Sequence, residues 1–414
     1  MNPHIRSTGD PCVVVGAGPV GLIAALGLAR RGLPTLVLES EPLQRIRPGS
    51  RAIALAWPTL RRFESVLPGL GRAIAADGIG VTGYDAYYEG RRIFHYRSGS
   101  GVLGRVARAD RLVTSLPQRV TERHLYEACV RAGVEFHWES GVSGLESHPD
   151  GVRVALRSGG VLDADYVIGA DGARSVVRKA IGATMIGHTD DTPFIIVDVE
   201  ELPDGSTSNT PGHFHYRHPE LNGRNVMHMP FRGGMRIDLQ CLPGDDAEQL
   251  ATRDGIRDWT APIVSPWYAD HITWVSTYRF HQVVADTYTD PHRRVLLAGE
   301  AAHLFAPWGG RGLNSGALDA TDAAKAIAAA VHSADRAEAH RVITRCAADR
   351  RAWGLHNRDV SSRALRIMRA TDPAVRRRRT LAARLAPVCP PAGAWLANGP
   401  IQLTPPRLGS TDLY

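Results

Sequence analysis

The 414-residue chain predicts an α/β protein, in which a parallel sheet flanked by helices is interrupted by an antiparallel sheet and followed by further helices. Three observations carry this reading. Within the first 40 residues a buried-looking strand, a glycine turn, an apolar helix and a second strand follow one another. From about residue 183 to 290, short aromatic and His-rich runs separated by Pro, Gly and Asp read as antiparallel strands. After residue 316 the chain is mostly helical to about 386, and then turns Pro-rich.

The elements follow in that order. "CVVV" (12–15) is a strand, "GAGPVG" a tight turn, "LIAALGLARRG" a helix closed by Gly32, and "TLVLE" (35–39) the next strand. This is a Rossmann-like βαβ opening with Gly16, Gly18 and Gly21 in the GxGxxG positions, Pro19 and Val20 between them, and Glu39 ending the second strand. One glycine makes the turn, one admits a pyrophosphate to the backbone, and one lets helix pack on strand. The helix N-terminus offers free N–H groups to an anion, and Glu39 sits where a carboxylate accepts from a ribose hydroxyl.

"GIGVTG" (78–83) also fits the string, but it follows a helical stretch and precedes strand-like "YDAYYEGRRIFHY", so it reads as a loop into a hairpin. "ERHLYEACVRA" (122–132) is a helix, and "VEFHWE", "VRVAL" and "ADYVIGAD" are strands. The basic run Arg376–Arg379 has no interleaved aromatics and reads as solvated helix surface rather than a nucleic-acid patch.

Hydrophobic residues make up 43% and charged residues 22%, as in a soluble globular protein. No apolar run is long enough to span a bilayer, and the opening stretch has no signal-peptide core, so a cytoplasmic protein is expected. Cys12, Cys129, Cys241, Cys346 and Cys389 are scattered, with no CxxC and no His at zinc-finger spacing, so no metal set is read and reduced thiols are expected. The net charge of +7 rests on arginine, the only lysines being Lys179 and Lys325. It reflects either codon usage or attraction of an anionic cofactor or substrate.

Three segments taken together, "VVVGAGPVGL…LVLE", "YVIGADGARSVVRKAIG" (166–182) and "VLLAGEAAHLFAPWGGRGLNSG" (295–316), resemble the flavoprotein aromatic hydroxylases built on the para-hydroxybenzoate hydroxylase plan. The resemblance implies FAD on an FAD-binding domain of 11–75, 105–182 and 290–335, with a substrate sheet from 76–104 and 183–289 and C-terminal helices with a Pro-rich tail over 336–414. It places Asp171 and Gly172 beside the pyrophosphate and the passing nicotinamide. Glu300 stands where the family usually has Asp on a ribityl hydroxyl. Pro307 is implied over the reacting face of the ring, with Gly310, Gly312 and the amides of Leu313 and Asn314 at its pyrimidine edge and Arg311 adding positive charge there. Arg51 ("SRAIAL") and Gln118 (opening "QxxxExxL") are implied near the flavin.

The implied reaction is single-component monooxygenation. NADPH or NADH reduces FAD, and O2 adds to give a flavin C4a-hydroperoxide that hydroxylates an aromatic small molecule, phenol-like or of polyketide type. The implied partners are that substrate and O2, with no nucleic acid, in a monomer or homodimer. Baeyer–Villiger oxidation, epoxidation, N-hydroxylation, dehydrogenation or non-catalytic flavin binding stay open on the same fold. So does surface attachment to a membrane through the arginine-rich helices. Alternation along "HFHYRH" puts His213, His215 and Arg217 on one face and Phe214, Tyr216 and His218 on the other. His215, Tyr216 and His228 are the expected pocket residues, and no catalytic base is assigned.

Overall fold

The computed structural model describes residues 10–45, 47–81, 83–97 and 113–402; residues 105–112 and the tail beyond 402, both placed in domains above, lie outside the described residues. Twelve strands in two sheets frame the site: β1 (Cys12–Val15), β2 (Thr35–Leu38), β3 (Gly83–Tyr88), β4 (Arg91–Arg97), β5 (Glu135–His137), β6 (Tyr166–Gly169), β7 (Phe194–Glu200), β8 (Gly212–Tyr216), β9 (Val226–Phe231), β10 (Gly234–Gln240), β11 (Ile272–Tyr278) and β12 (Val295–Leu297). The helices that matter are α1 (Pro19–Ala29), α2 (Trp57–Val66), α3 (Gln118–Arg131), α4 (Arg311–Val331), α5 (Arg336–Arg369), α6 (Pro373–Leu385) and α7 (Pro390–Ile401).

The first sheet has the order β12-β6-β1-β2-β5, and every pair in it is parallel. Its central strands "CVVV", "TLVL" and "YVIG" are buried along their whole length, as a sheet covered on both faces requires. The chain reverses direction across the sheet at β1, the kind of switch point beyond which ligands bind in doubly wound folds.

The second sheet has the order β11-β7-β10-β9-β8-β3-β4, antiparallel except for the β8–β3 pair. Side chains alternate between its faces. Phe214 and Tyr216 point to a face covered by α5, α6, α7 and Trp308. Ile237 and Leu239 point to the other, under the short helices of 247–270. The decoy "GIGVTG" does lead into the β3–β4 hairpin.

Three readings are corrected. The Pro-rich stretch after 386 forms helix α7, because Pro390 and Pro391 occupy its first turn, where a missing N–H is not needed. Arg379 is not solvated: it is buried, donates to the Met368 carbonyl (2.6 Å), and lies over the rings of Tyr88 and Tyr216. His218 does not continue the alternation of β8. Arg217 takes a left-handed backbone (φ 51°), which ends the strand and brings the His218 ring 5.3 Å from that of His215.

Candidate cofactor site and the sheet behind it

The βαβ turn is held by its own acid. Glu39 is buried, and its carboxylate accepts the N–H of Ala17 (2.8 Å) and that of Glu41 (3.0 Å). Burial pushes this carboxyl up, but those N–H bonds and the guanidinium groups of Arg45 and Arg47 outweigh it and hold the group below the usual carboxylate range. Pro19 opens α1. Gly21 admits no side chain, since a Cβ there would lie 1.8 Å from the Gly16 carbonyl oxygen. Val20 packs under the loop after β12, its methyls about 3 Å from where Cβ atoms on Gly299 and Gly316 would stand.

The ends of β6 and β12 meet this turn. Asp171 does not aim its carboxylate outward. It accepts from Ser175 Oγ (2.6 Å) and the Val176 N–H (2.7 Å), capping the short helix that follows, while Gly172 makes the turn at φ 77°. Glu300 is exposed, with Oε2 4.0 Å from where a Cβ on Gly172 would be. It has no hydrogen-bond or ion-pair partner among the described residues, so its carboxylate is available to a ligand. A Cβ on Gly312 would likewise meet open space.

The loop before α4 is built from the C-terminal side of the chain. Half-buried Pro307 precedes a tight turn in which Gly309 and Gly310 are both left-handed (φ 76° and 67°). A Cβ on Gly309 would also stand 2.4 Å from the Ile401 carbonyl oxygen.

Arg311 departs from expectation. It is buried and turns away from the groove, donating to Asn357 Oδ1 and to the Gln402 carbonyl (both 2.8 Å). The charge expected beside the ring is therefore used to lock the loop onto α5 and α7. Asn314 is buried too. Its Oδ1 accepts from the Ala56 N–H (2.9 Å) and Thr59 Oγ1 (2.6 Å), and its Nδ2 donates to the Ala54 carbonyl (2.9 Å). Leu313 is packed in the core, leaving only backbone for a ligand.

Sequence reasoning missed Asp319, the anchor of this loop. Fully buried, it accepts from the Gly299 N–H (3.1 Å), His303 Nε2 (2.7 Å) and Arg350 Nε (2.7 Å). Burial alone would raise its pKa, yet Arg350 and His303 hold it below the ordinary value. An acid two turns into an alanine-rich helix was the available signal, but its partners come from loops distant in sequence.

A second buried network joins the sheets. Asp198 accepts from Ser50 Oγ (2.8 Å), and Arg236 donates to Asp238 Oδ1 and to the Arg51 carbonyl (both 2.7 Å). Arg51 is thereby held left-handed (φ 53°) with its side chain exposed. Gln118 accepts from the Ala52 N–H (3.3 Å) and donates to Glu122 (2.7 Å), steadying the same segment at the start of α3.

This network fixes which face of the second sheet looks toward the groove. It is the face of Phe214, Tyr216, Met227, Met229 and Arg236, with Trp308 packed in the same cluster as Phe214, Tyr216 and Met227. His215 and His228 point from the opposite face, so they do not meet the groove. Tyr216 has the right face, but it is fully buried under α7, donating to the Leu396 carbonyl (2.8 Å). Met227 and Met229, both half-buried, are the β9 residues that alternation turns toward the groove.

Open glycine backbone and a partnerless carboxylate, converging at the ends of three parallel strands, define a nucleotide-cofactor flavoprotein. The chain belongs to the FAD binding domain family, whose profile matches residues 10–351, and within it to the FAD-dependent aromatic hydroxylases. It is 31% identical over 349 residues to the para-nitrophenol 4-monooxygenase of Pseudomonas sp. (strain WBC-3), covering 78% of each chain. It is 30% identical over 329 residues to a 3-(3-hydroxy-phenyl)propionate/3-hydroxycinnamic acid hydroxylase of Burkholderia cenocepacia, covering 77% of this chain but only 57% of that protein. Among solved structures, p-nitrophenol 4-monooxygenase PnpA of Pseudomonas putida DLL-E4 superposes with a TM-score of 0.76 at 25% identity, over 95% of this chain and 98% of the other. Among the described residues, no helix is long and apolar enough to cross a membrane.

Proposed function

We propose that the chain uses NADPH or NADH and O2 to hydroxylate a phenol-like aromatic small molecule. The observation that carries this reading is the convergence of the Gly16–Gly21 turn, Gly172 and Glu300 at the switch point of the parallel sheet, in a chain related to named aromatic hydroxylases. Bound FAD supplies electron transfer from the nicotinamide and activation of O2.

The chain's own residues hold and seal that cofactor. Gly16, Gly18, Pro19, Val20 and Gly21 present the start of α1 to the pyrophosphate. Glu39, already satisfied by Ala17 and Glu41, has a lone-pair site left for a ribose hydroxyl. Glu300 would accept from a ribityl hydroxyl of bound FAD, its extra methylene accommodated because no described residue holds its carboxylate. The backbone of Gly310, Gly312, Leu313 and Asn314 would lie along the pyrimidine edge, where the start of α4 favours negative charge. Half-buried Pro307 and the half-buried Met227 and Met229 are the apolar side chains proposed to meet an aromatic ring.

The test is oxidation of NADPH or NADH by FAD-loaded protein under 18O2, with a panel of phenols. Substrate-stimulated consumption with one labelled oxygen in a ring hydroxyl is expected. Consumption without label in any product would overturn the reading.

A further inference from the structure

The second sheet carries a cluster that the flavin groove does not use. His213 and His215 lie two residues apart on β8, so they share a face. The antiparallel register sets His228 of β9 directly opposite His213. The ring centroids of His213 and His228 are 4.4 Å apart, and one ring nitrogen from each of the three histidines lies within 4.8 Å of the others.

We propose that His213, His215 and His228 form a tri-imidazole site for a divalent transition-metal ion of the Zn2+ type. The geometry supports it. Both ring nitrogens of His215 and both of His228 are buried without a hydrogen-bond partner, which is costly for polar groups unless a ligand meets them. No hydrogen bond therefore has to break for these rings to move. An ion at about 2.0–2.1 Å from each nitrogen holds them roughly 3.3 Å apart, so a small rotation closes the set.

The surroundings suit a cation and leave it a way in. Asp85, opposite His213 on β3, places a carboxylate oxygen 3.6 Å from His213 Nε2. That carboxylate also takes His95 and Arg97, so its charge is shared. Tyr87 stacks on His215 at 4.6 Å and restrains its ring. His213 is only half-buried, so an ion can enter from its side. Because the cluster lies on the face turned away from the groove, a bound ion would tie β8 to β9 without touching the flavin.

The experiment uses tag-free, FAD-loaded protein treated with chelator and then dialysed. Titration with Co2+ is expected to give visible ligand-field bands saturating at one ion per chain, and Zn2+ is expected to displace them. His213→Gln, at the accessible corner, should keep bound FAD while weakening Co2+ binding by about 100-fold or more. His228→Gln should abolish the bands, and retained FAD absorbance will show that the variant is folded. Absence of saturable Co2+ binding would overturn the proposal, as would unchanged binding in a folded His213→Gln protein, which would assign the ion to other surface histidines.

Discussion

At the scale of single residues, the loop before α4 depends on groups that never meet a ligand. Asn314→Asp replaces an amide that donates to the Ala54 carbonyl with a carboxylate facing it. The expected cost is about 2–4 kcal/mol of stability, measured by urea unfolding of the apoprotein, with weaker FAD binding as a consequence. An unchanged midpoint would mean that this side chain does not tie α2 to α4. Asp319 makes a pH-dependent contribution. Its folded pKa is depressed, so its stabilisation is present above the unfolded value of about 3.9 and is lost as pH falls through the folded one. Asp319→Asn should therefore differ most from the natural chain near neutrality, and the gap in unfolding midpoints should narrow below about pH 4. Glu39→Ala leaves the Ala17 N–H without its acceptor, and at least a tenfold loss of FAD affinity by fluorescence titration is expected.

At the scale of elements, α7 is packed against β8 by one hydroxyl and one missing side chain. Tyr216→Phe removes the bond to the Leu396 carbonyl and should cost about 1 kcal/mol. Gly399→Ala would place a Cβ 2.4 Å from the same hydroxyl oxygen. Hydrogen exchange over 390–401 should accelerate in each. The alanine should be less damaging in the Tyr216→Phe background, where the hydroxyl it strikes is gone.

These contacts mark where sequence reading stopped. The βαβ opening, the order of the parallel strands' motifs and the antiparallel insertion were legible, because each rests on local periodicity and glycine chemistry. The face of the second sheet that meets the groove was not. Alternation separates Tyr216 from His215 but does not say which side is which, and the Asp198–Ser50 pair that decides it spans 148 residues. Arg311 read as charge beside the ring, and Arg379 as solvated surface, for a related reason. The carbonyls that hold them belong to helices whose approach no local pattern announces.

At the scale of the whole molecule, buried polar groups form a frame around the site: Asp319 ties Gly299 and His303 to Arg350 of α5, and Asp198 and Arg236 tie the second sheet to Ser50 and Arg51. A ligand seated on that frame stabilises all of it. FAD at about 100 times its Kd should add about 2.7 kcal/mol, read as a raised thermal midpoint that scales with FAD concentration. A midpoint indifferent to FAD would show that the groove is not coupled to global unfolding.

The grip of the last described turn on the loop at Gly309–Arg311 has a consequence for the order in which the protein is made. Synthesis delivers the amino-terminal strands first, and domains tend to fold as they emerge. The parallel sheet can therefore assemble while translation is under way. The carbonyls of Ile401 and Gln402 that set the loop's position are made after every strand of that sheet. A nascent chain stalled before residue 390 would hold a nearly complete sheet with an unfastened ring-facing loop. Durable capture of a flavin thus waits on helix α7, made well after the first strands of the sheet it serves.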